Sequence, residues 1–245
     1  IRDIGVTGVQ TCALPILSLD MAFLKVIQST LFRKILMSLT GLFLAFFLII
    51  HLLGNFQLLL DPEIAREQYN WYSTTLSHNI LIEIVAKILY VSLLLHILDA
   101  LYITIKNRQA DGRNLKVDTR GKVSYWHSRN MGVLGVVILI FLVIHLKDYW
   151  YIYKFGELPL DEQGQKDLYT IVIASFKNIW YVIIYLLGFI GLGFHLAHGV
   201  ASGFRTLGLY HKTWVNIMKY IGIAFAILIP LAYAIIPVII YIKNL

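Results

Sequence analysis

Long apolar runs alternate with shorter polar segments along most of this chain. Five runs, at about 36–58, 80–104, 130–152, 179–203 and 216–242, are each long enough to cross a hydrocarbon core of about 30 Å. In the first long connection, Asp61-Pro62 is a turn or helix-start signal. The pattern predicts an all-α fold, in which residues 21–245 form one bundle of five transmembrane helices.

Composition and loop charge add an orientation to this picture. Of the 245 residues, 58% are hydrophobic and 14% are charged, whereas a soluble domain has about 25% charged residues. Lysine and arginine concentrate before the first run, between the second and third, and between the fourth and fifth. The positive-inside rule then places the N-terminus in the cytoplasm and the C-terminus outside. The net charge of +7 is explained by these loops, so we expect no nucleic-acid partner.

The first twenty residues do not fit the rest of the chain. The run Val6–Ile16, VTGVQTCALPI, back-translates to a sequence that resembles a widely used short-read sequencing adapter. We therefore expect residues 1–20 to be a non-native segment and the natural chain to begin at Met21. A cleaved signal peptide is the alternative, but no sustained apolar region follows a basic start. The single cysteine, Cys12, excludes an intramolecular disulfide framework and a thiolate-held metal site.

Four histidines lie deep inside the first four apolar runs. Counted from the inner edges of the first and third runs, His51 and His145 each lie fourteen residues along, about 21 Å deep. Counted from the outer edges of the second and fourth, His96 and His195 each lie sixteen residues along, about 24 Å deep. The histidines thus form two pairs at two levels, and each pair comes from two helices.

Paired imidazoles at a common depth are what a haem with two axial histidines requires. Such an iron suits electron transfer, because neither axial position is free. Room for the macrocycle is expected beside glycines, namely Gly54, Gly132, Gly135, Gly188, Gly191, Gly193, Gly199 and Gly203. Small residues also let transmembrane helices approach closely, which is the structural alternative. A single intramembrane histidine more often bonds a neighbouring helix or lines a proton path.

Other polar residues near the runs leave choices open. His198 lies about 60° round the helix from His195, so either could face a haem, but depth favours His195. We expect Asp99 and Asp148 at the membrane interface, with support of the neighbouring histidines as the alternative. Glu83 and Lys87 lie four residues apart, so we expect them to form a local salt bridge on one face of the helix. The remaining histidines, His78, His127 and His211, are expected in loops, either solvated or interfacial.

These residues together resemble the di-haem cytochrome b membrane anchor of bacterial succinate:quinone oxidoreductases, the b558 family. The resemblance covers Met21 to Leu245 and rests on four features in order. They are H-L-L-G-N at His51–Asn55, the run L-I-E-I to L-L-H ending at His96, His145 preceded by Arg129, and F-H-L-A-H-G at Phe194–Gly199. Some fumarate-reducing relatives carry a glutamate for proton transfer where this chain has Gly193, so that route does not carry over.

The resemblance implies a function, partners and cofactors. His51 with His145, and His96 with His195, would be the iron ligands of two haem b groups, and a quinone, expected to be menaquinone, would be the substrate. A flavoprotein and an iron–sulfur subunit would dock on the cytoplasmic face of a bacterial inner membrane. The expected role is therefore the electron-transfer anchor of succinate dehydrogenase. The alternatives are the cytochrome b anchor of a hydrogenase or formate dehydrogenase, and a proton-coupled transporter with relay histidines.

Overall fold

The computed structural model describes residues 25, 26, 29–110, 125–209, 211 and 214–243. The segment 1–20, which we predict to be non-native, lies outside the described residues, as does much of the basic connection between the second and third spans. The packing reported below is that of residues 35–245, which form one compact unit.

Helices account for most of the described chain. They are α1 (Thr30–Asn55), α2 (Pro62–His78), α3 (Ile80–Ala110), α4 (Trp126–Arg129), α5 (Met131–His145), α6 (Ile152–Phe155), α7 (Leu168–Phe176), α8 (Ile179–Thr206) and α9 (Val215–Lys243). A 3-10 turn, Phe56–Leu59, extends α1, and a π-helical segment, Leu146–Tyr151, joins α5 to α6. The described residues contain no β-strand, only an isolated antiparallel bridge between Leu160 and Lys166.

Five of these helical stretches are long and apolar enough to cross a membrane. Among the described residues they are Thr30–Leu59, Ile80–Gln109, Met131–Phe155, Ile179–Thr206 and Val215–Lys243. The predicted all-α class and all five predicted spans are confirmed. The helices run a few residues beyond the apolar runs because a helix continues past the hydrocarbon core into the polar interface.

The first long connection is itself largely a helix. Helix α2 begins at Pro62, which occupies its first turn, where the missing N–H costs no hydrogen bond. The Asp61-Pro62 helix-start signal is therefore confirmed. The length of α2 could not be predicted from apolar periodicity, because most of its residues are polar. His78 ends α2 and His127 lies in α4, so neither is in a loop as expected.

Helix α8 is central to the bundle and packs most extensively against α9 and α5. Small residues allow these close approaches: a Cβ built at Gly193 would lie 3.2 Å from the carbonyl oxygen of Ala226 on α9. That carbonyl lies four residues before Pro230, which has no N–H to donate to it. The space beside Gly193 is thus filled by backbone of α9.

At one end of the bundle, α2 packs against α7 and the end of α1. We call α2, the connection 156–167 and α7 the cap, and the end of the bundle that they cover the capped end. The cap includes buried Tyr69 and Asn70 of α2 and Val172 and Phe176 of α7. The connections between the first and second spans and between the third and fourth spans therefore form a folded layer with its own buried residues.

Candidate functional site

His51 of α1 and His145 of α5 lie side by side near the capped end of the bundle. Their ring centroids are 5.8 Å apart, with the ring planes at 87°. Each histidine lies near the end of its helix, His51 four residues before Asn55 and His145 at the last position of α5. These residues, the first histidine pair, are the two that depth assigned to one level.

Aromatic rings surround the first histidine pair. Phe47 stacks on His51 at 5.2 Å, and Phe141 stacks on His145 at 5.7 Å, each from the preceding turn of the same helix. Further rings contact the pair from α8, α9 and the π-helical segment, namely Tyr185, Tyr233 and Tyr149. The imidazoles are therefore held in fixed orientations inside an aromatic envelope.

His96 of α3 and His195 of α8 meet in the same way further from the capped end. Their ring centroids are 6.2 Å apart, with the ring planes at 68°. These residues form the second histidine pair. Where the first pair has phenylalanine one turn earlier, the second has Ser92 and Gly191. Each pair joins two helices at one level, as the sequence predicted, whereas their role as ligands stays a prediction.

Helix α1 orients His96 through two consecutive residues. The Thr40 hydroxyl lies 3.2 Å from His96 Nδ1, and a Cβ built at Gly41 would lie 3.1 Å from His96 Cε1. A side chain at position 41 would therefore press on the imidazole, while Thr40 supplies a polar partner. Thr40 is itself buried, and its hydroxyl donates to the Leu36 carbonyl at 2.8 Å.

In each pair, one histidine has a hydroxyl at Nδ1. Tyr185 Oη lies 3.2 Å from His145 Nδ1, which matches the contact between Thr40 and His96. With a hydroxyl at Nδ1, the other ring nitrogen, Nε2, is left for a different partner. Metal-bound histidines typically use one ring nitrogen for the metal and the other for a hydrogen bond. His195 differs, since its buried Nδ1 has no hydrogen-bond partner among the described residues.

The structure separates His198 from the second pair. The ring of His198 lies 6.4 Å from the ring of His127 on the short helix α4, and His127 in turn stacks on Tyr125 at 5.5 Å. His195, three residues earlier, contacts His96 instead. The choice left open by the sequence is therefore answered geometrically in favour of His195 as the partner of His96.

Asp99 and Asp148, which we expected at the membrane interface, are both largely buried by neighbouring protein. Asp99 is only 5% exposed. Asp148 accepts a hydrogen bond from the Tyr181 hydroxyl and lies 3.2 Å from Lys147 Nζ, and its side chain is 15% exposed. By contrast, the predicted pair of Glu83 and Lys87 is confirmed as an exposed ion pair at 3.0 Å.

The motif H-L-L-G-N joins the first pair to the cap. A Cβ built at Gly54 would lie 2.6 Å from Tyr72 Cε1 of α2, so only glycine admits that ring. Asn55 Nδ2 donates to the His51 carbonyl at 2.7 Å, and its Oδ1 lies 3.5 Å from the Tyr69 hydroxyl. Burial raises the pKa of Tyr69, so this hydroxyl keeps its proton. The motif therefore docks α2 directly beside His51.

A buried carboxylate holds the two halves of the cap together. Asp167 is 2% exposed and accepts from Arg66 Nη2 at 2.7 Å, from Asn70 Nδ2 at 3.1 Å and from the Thr170 hydroxyl at 2.8 Å. Burial alone would raise the pKa of Asp167, but these hydrogen bonds outweigh it and leave the pKa below its ordinary value. The carboxylate is therefore charged at neutral pH and ties α2 to α7.

The glycines expected to make room for a macrocycle mostly serve close helix packing. Cβ atoms built at Gly188, Gly191 and Gly203 would lie 2.6, 3.2 and 3.1 Å from side chains of neighbouring helices. A Cβ at Gly135 or Gly199, in contrast, would meet no atom of the described residues within 4 Å. Close helix packing thus explains Gly188, Gly191 and Gly203, whereas Gly135 and Gly199 lie beside open space.

The spacing of each pair suits a metal bound between two imidazoles. With metal–nitrogen bonds of about 2 Å, two ring centroids would lie roughly 6 to 6.5 Å apart. The observed 6.2 Å lies in this range, and the observed 5.8 Å is slightly below it. Within the described residues no group of three or more His, Cys, Asp or Glu side chains converges on one point. Each pair therefore offers two imidazole nitrogens, a donor set that would fit a haem iron better than a tetrahedral ion, which needs four ligands.

Helix α3, which carries His96, has unusually little protein around it. Asp99 is the only buried residue of α3 among those that the structure describes. Large apolar side chains are exposed around most of its circumference, for example Leu81, Val85, Ile88, Val91, Leu94, Leu98 and Leu101. The surface of α3 is thus available to lipid, to a cofactor or to another subunit.

Sequence reasoning did not identify the residues that contact the histidines, among them Thr40, Tyr185 and His127. Thr40 lies eleven residues before His51, close to three helical turns, so it shares a face of α1 with a predicted ligand and helical spacing could have identified it. Tyr185 and His127 carry no such signal, because their contacts depend on how α8 and α4 pack against other helices.

Scans against protein-family models, curated proteins and solved structures found no match to this chain.

Proposed function

We propose that this protein is the di-haem cytochrome b membrane anchor of a bacterial succinate:quinone oxidoreductase. In this proposal His51 and His145 hold one haem b, and His96 and His195 hold the other. The observation that carries the proposal is the meeting of four intramembrane histidines as two separate pairs, each bridging two helices.

The environment of the pairs favours axial ligation over the alternatives. A proton-relay transporter needs titratable groups in a continuous path, whereas the rings that stack on both imidazoles of the first pair are the phenylalanines Phe47 and Phe141, which carry no exchangeable proton. An imidazole that has a hydroxyl at Nδ1 is oriented to offer Nε2 to iron. Haem bound between each pair would supply one-electron redox chemistry, with a potential set by these axial ligands and their hydrogen bonds.

The protein's own residues fix the ligands and shield them. Phe47 and Phe141 hold the first pair by stacking, and Thr40 and Gly41 hold His96 against α1. The cap covers the first pair at the end of the bundle. Two pairs at different distances from the capped end provide two successive positions for an electron along the membrane normal.

Orientation and partners complete the proposal. Because Lys106, Arg108, Arg129 and Arg205 lie at the helix ends opposite the cap, we infer that the capped end faces outward and the other end faces the bacterial cytoplasm. A flavoprotein and an iron–sulfur subunit would dock on the cytoplasmic end and exchange electrons with the second pair. A membrane quinone, such as menaquinone, would be the other redox partner.

A direct test is to express the chain and to quantify haem in the purified protein. We expect two haem b per chain and a reduced-minus-oxidised spectrum typical of low-spin cytochrome b. Co-expression with candidate flavin and iron–sulfur subunits from the same genome should allow succinate to reduce this haem. Absence of haem would contradict the proposal altogether, whereas haem that formate or hydrogen reduces and succinate does not would favour a different respiratory anchor.

A further inference from the structure

A cavity of about 440 Å³ lies at the capped end, away from the four histidines. It is formed by the last turns of α2, by α6 and by the hairpin 160–166. The lining residues are Thr74, Ser77, His78, Tyr153, Lys154, Leu160, Gly164, Gln165 and Lys166. Its volume is within the range of about 300 to 1,000 Å³ that is usual for small-molecule sites.

The lining of this cavity is cationic although the cap as a whole is acidic. Lys154, Lys166 and His78 line it, and no carboxylate does. Two of the nearby acids, Asp167 and Asp161, have other partners; Asp167 accepts hydrogen bonds from Arg66 and Thr170 as described above. Positive charge is therefore concentrated at the cavity without a counter-charge among the lining residues.

The second nearby acid is engaged by the hairpin itself. Asp161 Oδ1 accepts from the backbone N–H groups of Gln163 and Gln165 at 3.1 and 2.8 Å, and Oδ2 accepts from Asn70 at 3.0 Å. Gly164 closes the turn with a φ of +75°, a conformation that favours glycine. These bonds direct the Asp161 carboxylate towards α2 and keep it out of the cavity lining.

Lys166 is held in place yet keeps donors to spare. Its Nζ donates to the Tyr153 carbonyl at 2.6 Å and lies 5.2 Å from the centre of the Tyr153 ring. An ammonium group has three donors, so two remain for a ligand. Lys154, one residue beyond Tyr153, is exposed and makes no ion pair with the described residues. Two ammonium groups are thus available on one small cavity.

Polar atoms in the cavity wall also lack partners. Thr74 Oγ1 and Gln165 Oε1 are buried and have no hydrogen-bond partner among the described residues. Buried polar atoms are nearly always paired, so each unpaired one calls for a partner such as a water molecule or an ion. The threonine hydroxyl can donate to an anionic oxygen, and the amide can do so through its nitrogen when its two ends are exchanged.

The cavity lies at the level where the spans end. Tyr153 and Lys154 belong to the last turns of the span that ends at Phe155, and His78 precedes α3 by one residue, Asn79. Leu81 and Phe155, at the adjoining span ends, are 69% and 68% exposed. Apolar surface suited to acyl chains thus adjoins a pocket suited to an anionic headgroup.

We propose that this cavity binds a phosphate group, carried by an anionic phospholipid or by free inorganic phosphate. Lysines bind phosphate as point charges, and hydroxyl donors complete the recognition of its oxygens. Basic pockets at the ends of transmembrane helices are suited to anionic headgroups for the same reason. This site does not depend on whether the histidine pairs hold haem.

The test uses the full chain, purified in a non-ionic detergent, and two probes: dioleoyl phosphatidylglycerol and inorganic phosphate. Native mass spectrometry and a titration of each probe report stoichiometry and Kd. We expect saturable binding of one phosphatidylglycerol per chain, with phosphatidylcholine weaker. Lys154→Gln should raise Kd about fivefold, since each lysine contributes roughly 1 kcal/mol near an anionic headgroup.

The matched control is Lys177→Gln, which changes the exposed lysine that directly follows α7 and does not line the cavity. Its Kd should equal that of the unchanged chain. Displacement of phosphatidylglycerol by millimolar phosphate would assign the site to the free anion, and resistance would assign it to the lipid. No saturable binding of either probe, or equal weakening by both substitutions, would overturn the proposal.

Discussion

The two histidine pairs share one plan and differ in what surrounds them. In the first pair, Phe47 and Phe141 stack on the imidazoles from one turn earlier. In the second, the equivalent positions are Ser92 and Gly191, which provide no ring to stack. Residues four apart on a helix are neighbours, so the side chains next to the imidazoles are aromatic in the first pair and small in the second.

The difference shows two ways of fixing an imidazole between helices. The first pair is held by rings from several helices and is covered by the cap. The second pair is held from α1, by the Thr40 hydroxyl and by the close approach that Gly41 allows. Substitutions in the cap should therefore disturb the first histidine pair more than the second. Substitutions in the middle of α1 should disturb the second pair more than the first.

The largest effect is expected when one of the proposed haem ligands is replaced, because each replacement should affect only one histidine pair. His51→Ala should lose one of two haems and leave the other, and His96→Ala should do the same for the other site, because an iron bound by one imidazole is poorly held. Haem content per chain and difference spectra measure this. Each variant must first be shown to accumulate in the membrane.

His198→Ala is the control for these ligand variants, since its ring contacts His127 and not His96. It should retain both haems. Two haems retained in His96→Ala would refute the pairing. A haem lost in His198→Ala but kept in His195→Ala would reverse the assignment on α8.

The next effect concerns the cap. Asp167→Ala should destabilise the contact between α2 and α7 by about 2–3 kcal/mol, since several hydrogen bonds to a buried charge are lost. Faster hydrogen exchange in residues 62–78 would report it, and haem should be released from the first pair before the second. Glu157→Ala, which changes an exposed acid of the same connection, should have no such effect.

Acid should mimic the Asp167 variant. The pKa of Asp167 is below its ordinary value in the folded protein, so its contribution to stability is complete above about pH 4 and is lost as pH falls through the folded value. The protection factors of the α2 amides, which are exchange rates corrected for the intrinsic pH dependence of amide exchange, should therefore fall below pH 4. Protection factors in Asp167→Ala that depend on pH as in the unchanged chain would show that another group is responsible.

The spans and the pairing of the histidines follow from apolar length and depth, which the sequence displays directly. The cap does not, because α2 is polar and its burial depends on single contacts such as Gly54 against Tyr72 and Asp167 against Arg66. Likewise, the helical angle left His195 and His198 as alternatives, between which depth favoured His195. The position of His127 on a short helix, unseen in an apolar pattern, is what separates them.

A smaller effect is expected from one methyl group in α1. A Cβ at position 41 would lie 3.1 Å from His96 Cε1, so Gly41→Ala should displace the imidazole by a few tenths of an ångström. Such overpacking typically costs about 1–3 kcal/mol. The haem proposed at the second histidine pair should be lost at a lower temperature than in the unchanged chain, and the haem at the first pair should be unaffected. Gly222→Ala, whose Cβ would meet Ala201 at 3.6 Å, is the control and should be neutral or stabilising.

The smallest effect tests the hydroxyls at Nδ1. Tyr185→Phe removes the partner of His145, and Thr40→Val removes that of His96. If each ligand donates its Nδ1–H to the hydroxyl oxygen, loss of the acceptor makes the imidazole less basic and favours ferrous iron. The midpoint potential of one haem should rise by roughly 20–60 mV, corresponding to a hydrogen bond of about 0.5–1.5 kcal/mol. Redox titration should show Tyr185→Phe shifting one haem and Thr40→Val the other. A shift of the same haem in both variants would contradict the assignment of one hydroxyl to each pair.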